Sequence, residues 1–84
     1  AALAPAEQQA AIRAMVDGLA ARLQEGGGSL SDWTRLIRSQ VVLGDKAAAR
    51  ESLVLARSRL TDDATAPAAL DALAEELALK EAAP

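Results

Sequence analysis

Residues 32–53, DWTRLIRSQVVLGDKAAARESL, decide how this chain is read. Trp33, Leu36, Ile37 and Val41 recur at the three- and four-residue spacing of one helix face, and Leu43 follows them. Gly44 stops that helix, since glycine takes the left-handed conformation at a helix end without a Cβ penalty. Asp45, directly after it, can accept hydrogen bonds from the first amides of a further helix. That helix, predicted over residues 46–60, places Ala49, Leu53, Ala56 and Leu60 on one stripe. Half of the stripe is alanine, so the second helix can sit close against the first. Two helices joined by so short a turn must lie antiparallel.

Working outward, Ile12, Met15, Val16, Leu19 and Leu23 form one stripe of a leading helix predicted over residues 5–24, with Pro5 suited to its first turn. Gly26, Gly27 and Gly28 end it, because three glycines cannot hold a helix cheaply. A Gly-Gly-Gly-Ser run invites comparison with a phosphate cradle. No strand precedes it and no Gly-Lys-Ser follows, so it reads as a flexible turn. Ser29 with Asp32 three residues on resembles a capping box for the next helix. Downstream, residues 61–65 form a polar break, and Pro67 opens a fourth helix with Leu70, Leu73 and Leu77 on one face. The expected organisation is a single all-α domain over residues 1–84. It comprises a leading helix at 5–24, a hairpin unit at 30–63, a capping helix at 66–79 and a frayed tail at 80–84.

Composition removes more functions than it adds. The 84 residues are 51% hydrophobic, much of this alanine, with Trp33 the lone aromatic. A chain of this size buries only roughly 60 to 65% of the surface its unfolded form exposes, so its stability is expected to be modest. There is no Cys, His or Tyr, which excludes thiolate or imidazole zinc sites, haem attachment through Cys-x-x-Cys-His, thiol nucleophiles and His-based triads. No cofactor is expected. The net charge of −3 argues against nucleic acid. Charge is uneven: residues 1–60 carry eight basic and six acidic side chains, residues 61–84 one Lys and six acids. No apolar run approaches the roughly 18 residues that would span a bilayer, so no membrane contact is expected of this segment. Its first residue is Ala, as expected of a processed product or a domain excised from a longer protein.

The tetratricopeptide pattern asks for Trp, Leu three residues on, a Leu-Gly pair closing the first helix, and small or apolar residues at set places on the second. Trp33, Leu36, Leu43, Gly44, Ala49, Leu53 and Ala56 meet it in register over a 34-residue unit at 30–63. Stepping on by the same 34 residues from Leu36 and Leu43 reaches Leu70 and Leu77, so the fourth helix is expected to begin a second unit. Ile37 departs from the pattern where it wants a small residue, Gln40 where it wants an aromatic, and Thr61 where it often has Pro. The strings MVDGLAARLQ (residues 15–24), DWTRLIRSQVVLGDKAAARESL (32–53) and LDALAEELAL (70–79) together resemble the periplasmic repeat domain of the c-type cytochrome biogenesis family CcmI, also called CycH. The family often carries Pro-Asp where this chain has Gly26–Gly28.

That resemblance implies a chaperone-like, non-enzymatic role. Family members hold unfolded apocytochrome c by its C-terminal segment for the haem-attachment machinery, in the bacterial periplasm, and are anchored by N-terminal transmembrane helices. It also implies a groove lined by the inner face of each unit's first helix. By register these positions are Thr34, Arg38, Val41 and Val42, with Ala72 and Glu75 as counterparts on the fourth helix.

The remaining conspicuous residues have plainer readings. Trp33 belongs in the core rather than stacking on a ligand. Arg35, Arg38, Arg50, Arg57 and Arg59, interspersed with Asp32, Asp45 and Glu51, read as solvated faces, with Arg38 singled out by its place in the repeat. The pairs Asp62–Asp63 and Glu75–Glu76 suit capping and solubility, because adjacent helical residues diverge and nothing converges on them. Two function classes follow: a peptide-binding module for cytochrome maturation, or a structural helical domain that binds another protein or pairs with itself as a homodimer.

Overall fold

The computed structural model describes residues 5–79, with the side chain of Pro5 outside the description; the tail expected at 80–84 lies outside the described residues. Four helices and no strand occur among them: α1 (Pro5–Gly26), α2 (Leu30–Val42), α3 (Lys46–Arg59) and α4 (Ala66–Glu76). The all-α reading of the sequence, a helix hairpin flanked by one helix on each side, is borne out.

Local chemistry fixes each boundary. Ser29 Oγ accepts from the Asp32 amide and Asp32 Oδ2 accepts from the Ser29 amide, each at 3.2 Å, so the capping box at the start of α2 is complete. Asp45 Oδ1 accepts from the Ala48 amide at 3.1 Å and caps α3. Gly44 has φ +81° and turns the chain between them. At α4, Asp63 Oδ1 accepts from both the amide and the hydroxyl of Thr65, at 2.9 and 2.6 Å, shaping the entry turn.

α3 ends at Arg59, one residue short of the sequence reading, and three other helix ends differ as well. α1 runs two residues further, to Gly26; the chain leaves the helix at Gly27, at φ +71°, whose amide donates to the Leu23 carbonyl at 2.8 Å. Pro67 is the second helical residue of α4 rather than the first. α4 stops at Glu76 rather than 79, and Ala78 takes the left-handed conformation at φ +54°. Leu79 lies beyond the helix yet only 2% exposed, folded back onto the core.

The core is the seam between α2 and α3. Trp33, Leu36, Ile37, Ala49 and Ala56 are fully buried, with Leu53 and Leu60 nearly so. α2 packs most extensively against α3, while Val16 and Leu23 of α1 close one side and Leu70, Leu73 and Ala74 of α4 the other. The chain measures 45 × 35 × 16 Å. Its short dimension barely exceeds the roughly 10–12 Å diameter of one helix, so side chains are covered only where they face a neighbouring helix. This corrects the leading stripe: Val16 and Leu23 meet α2, but Ile12 is 43% and Met15 71% exposed. α1 has essentially one neighbour, and one neighbour cannot cover the whole stripe.

The end of α2 recurs in α4 at an interval of 34 residues. Leu43, Gly44 and Asp45 amides donate to the carbonyls of Ser39, Val41 and Gln40; Leu77, Ala78 and Leu79 amides donate to those of Leu73, Glu75 and Ala74. Each donor and each acceptor is displaced by the same 34 positions, and Ala78 stands where Gly44 does. The buried pairs Leu36 and Leu70, and Gln40 and Ala74, keep the same offset.

Candidate functional site

The face shared by α2 and α4 is built from that offset. On α2, Thr34 and Val41 are half-buried, Arg38 is exposed, and Val42 is 84% exposed. On α4, Ala72 and Glu75 are exposed, and Glu75 engages in an interaction with its surroundings. Val41 packs partly against the core, so its side chain serves the fold as well as the surface.

The two helices are joined there by Arg38 and Glu76. Arg38 Nη1 donates to Glu76 Oε1 at 3.1 Å and Nη2 to Oε2 at 2.7 Å, a two-bond fork between guanidinium and carboxylate. These hydrogen bonds, with the attraction of the opposite charge, hold the Glu76 carboxyl below its ordinary range; partial desolvation opposes them. Glu76 is not among the groove positions that the repeat register picks out. The signal is nonetheless present, since Glu76 stands 34 residues after Val42, as Ala72 does after Arg38 and Glu75 after Val41.

The arginines are not merely solvated faces. Besides Arg38, Arg57 Nη2 donates to Asp71 Oδ1 at 2.6 Å, and the half-buried Arg50 donates through Nε to the Leu79 carbonyl at 3.2 Å. Three arginines from α2 and α3 therefore clasp α4 and the turn after it. Both acidic pairs are engaged as well, Glu76 by Arg38 and Asp63 by Thr65. The Thr65 hydroxyl, then its amide, hold the Asp63 carboxyl below its ordinary range. Arg13 of α1 approaches Asp45 more loosely, at 3.8 Å.

Among the described residues no group of three or more carboxylates could hold a metal ion, and no helix is long and apolar enough to cross a membrane. A separate concavity of about 250 Å³ lies where α3 runs into α4, lined by Arg57, Leu60, Thr61, Ala66, Pro67 and Leu70. None of the six positions expected to line a groove borders it.

Comparison with known proteins finds a curated relative of clear significance. The cytochrome c-type biogenesis protein CycH of Rhizobium meliloti (strain 1021) is 49% identical over 47 residues, which are 56% of this chain and 12% of that protein. The match bears out the resemblance to the c-type cytochrome biogenesis protein CycH. The chain thus spans only a small part of the length of the relative it matches. No family model matches the chain. No solved structure matches it either.

Proposed function

We propose that this chain is a peptide-holding module for c-type cytochrome maturation, which binds the C-terminal segment of an apocytochrome c and presents it to the haem-attachment machinery. The observation that carries the reading is the 49% identity with a cytochrome c-type biogenesis protein over more than half of the chain. The composition supports it from the other side: without Cys, His or Tyr the chain has little with which to do chemistry, whereas packed helices with an open face suit binding. On this reading the module is a non-enzymatic, chaperone-like tetratricopeptide unit, lies in the bacterial periplasm and belongs to a membrane-anchored protein.

In this proposal the client is an amphipathic helix. Its apolar side lies along Val42 and the exposed part of Val41, with Thr34, Arg38, Ala72 and Glu75 around it. One helix pair and a neighbour offer little surface, and association consumes much of the contact energy, so affinity for this segment alone is expected to be roughly micromolar or weaker. Titrating a labelled C-terminal peptide of a c-type cytochrome into the protein, beside a scrambled version, tests the reading. Preferential binding of the true sequence is expected. Equal binding of both, or none at high concentration, overturns it.

A second reading has its own observation. Ile12 and Met15 leave an apolar patch open on α1, which would suit self-association of a scaffolding domain. Sedimentation equilibrium of the parent and of Met15→Lys separates the two: a dimer lost on substitution favours scaffolding, and a monomer in both removes it.

A further inference from the structure

Arg38 is already engaged. Its two nitrogens meet both oxygens of one carboxylate in the planar geometry by which a guanidinium recognises that group. The side chains of Arg38 and Glu76 are 47% and 56% exposed, so neither is locked in place by packing and both remain open to a ligand. The pair joins α2 to α4 on the face that carries Thr34, Val42 and Ala72. A formed carboxylate site therefore lies on the proposed groove, and a residue of the same chain fills it.

We propose that Glu76 is an internal stand-in for the terminal carboxylate of the bound peptide, and that Arg38 exchanges one for the other when the client docks. This rests on the peptide-holding reading above. A terminal carboxylate presents the same planar pair of oxygens as Glu76, so Arg38 keeps its geometry through the exchange. The count of charged hydrogen bonds at Arg38 is unchanged, and the released Glu76 side chain is already half in water. A C-terminal segment always carries this group, whatever its side chains, so a carrier that reads it can serve clients of differing sequence. Until a client arrives, Glu76 covers the Arg38 charge. A stray anion must then displace a tethered competitor, and only a ligand that also fills the apolar face does so with a net gain.

The experiment uses the intact chain as parent and as Glu76→Gln, Arg38→Gln and Arg57→Gln. The probe is a labelled peptide with the C-terminal sequence of a c-type cytochrome, made once with a free terminal carboxylate and once as the amide. Circular dichroism checks that each variant keeps its helices. Glu76→Gln should bind the acid peptide roughly two- to fivefold more tightly, the scale set by an exposed ion pair, and the amide peptide as the parent does. Arg38→Gln should bind acid and amide alike. Arg57→Gln removes a different ion pair on α4, that with Asp71, and should leave the acid-to-amide ratio at the parent value, which separates exchange from a general loosening of α4. The exchange is overturned, with the peptide-holding reading intact, if both peptides outbind a scrambled control but Glu76→Gln gains nothing for the acid form or gains equally for both. If no protein prefers the true sequence to the scrambled one, the peptide-holding reading falls and takes the exchange with it.

Discussion

Ser52 Oγ donates a 2.7 Å hydrogen bond to Gln40 Oε1 across the seam between α2 and α3, where the two residues are 3% and 7% exposed. Gln40 occupies the position at which the repeat pattern asks for an aromatic ring. Its amide is tolerated there because α3 brings a hydroxyl to meet it, so the departure on one helix is answered on the other. Ser52→Ala is expected to cost about 1–3 kcal/mol by leaving the Gln40 carbonyl oxygen buried without this donor. Gln40→Leu combined with Ser52→Ala should recover most of that loss. Urea denaturation of the two single variants and the double variant checks the coupling; additive losses would contradict it.

Trp33 supplies the largest buried surface of the domain and is fully enclosed, yet its Nε1 finds no acceptor among the described residues. Trp33→Ala should cost about 3–5 kcal/mol, enough to leave so small a domain largely unfolded. Trp33→Phe should lose markedly less, because it keeps a ring in the site and removes the unpaired N–H. Thermal melts followed by circular dichroism rank the two, and equal melting temperatures for Trp33→Ala and the parent would refute the packing role.

Ala78 holds φ +54°, a conformation that disfavours any residue with a Cβ, at the position equivalent to Gly44. Ala78→Gly should therefore stabilise the chain by about 0.5–1 kcal/mol, and Gly44→Ala should destabilise it by a similar amount. Space is not the issue at Gly44, where an added Cβ meets nothing within 4 Å. Opposite shifts in melting temperature are the expected result. Shifts of the same sign would show that the two turns are not equivalent.

Acid should loosen α4. The Glu76 and Asp63 carboxyls are held below their ordinary range, by hydrogen bonds chiefly from Arg38 and from Thr65. Each is thus more readily ionised in the folded chain than in the unfolded one. Their contribution is complete above the ordinary carboxylate pKa and is lost as pH falls through the lowered folded values. Amide exchange protection in α4 should fall before that of α2 and α3 as pH is lowered from about 5 towards about 2. Glu76→Gln should flatten part of this dependence, and a pH response identical to the parent's would count against the role given to the ion pair.

Much of the fold is legible in the sequence because its punctuation is local. Ser29, Asp32, Gly44 and Asp45 act within three residues of themselves, and the α2–α3 stripes need only helical periodicity to be read. The features that sequence reasoning misses depend on distant neighbours. Ile12 and Met15 share a stripe with Val16, but exposure depends on where α2 lies, which periodicity along α1 does not encode. Arg50 and Arg57 read as surface charges because their acceptors, the Leu79 carbonyl and Asp71, lie 29 and 14 residues further on. Of the groove, the 34-residue step locates Ala72 and Glu75 as counterparts of Arg38 and Val41. The same step from Val42 reaches Glu76, whose role shows only once α4 is laid beside α2 and the Arg38 side chain meets it.

The hydrogen-bonded helix end that recurs from Leu43–Asp45 to Leu77–Leu79 makes chain length a free parameter of this architecture. A segment copied between equivalent points, such as residues 44–77, begins and ends in the same backbone geometry, so a tandem duplicate can be spliced in without a new kind of joint. Each added α3 copy would meet α4, which carries Pro67, Leu70, Asp71 and Ala74 where α2 has Trp33, Leu36, Ile37 and Gln40. Adding 34 residues should thus extend the row by one rung and open a further stretch of the same face.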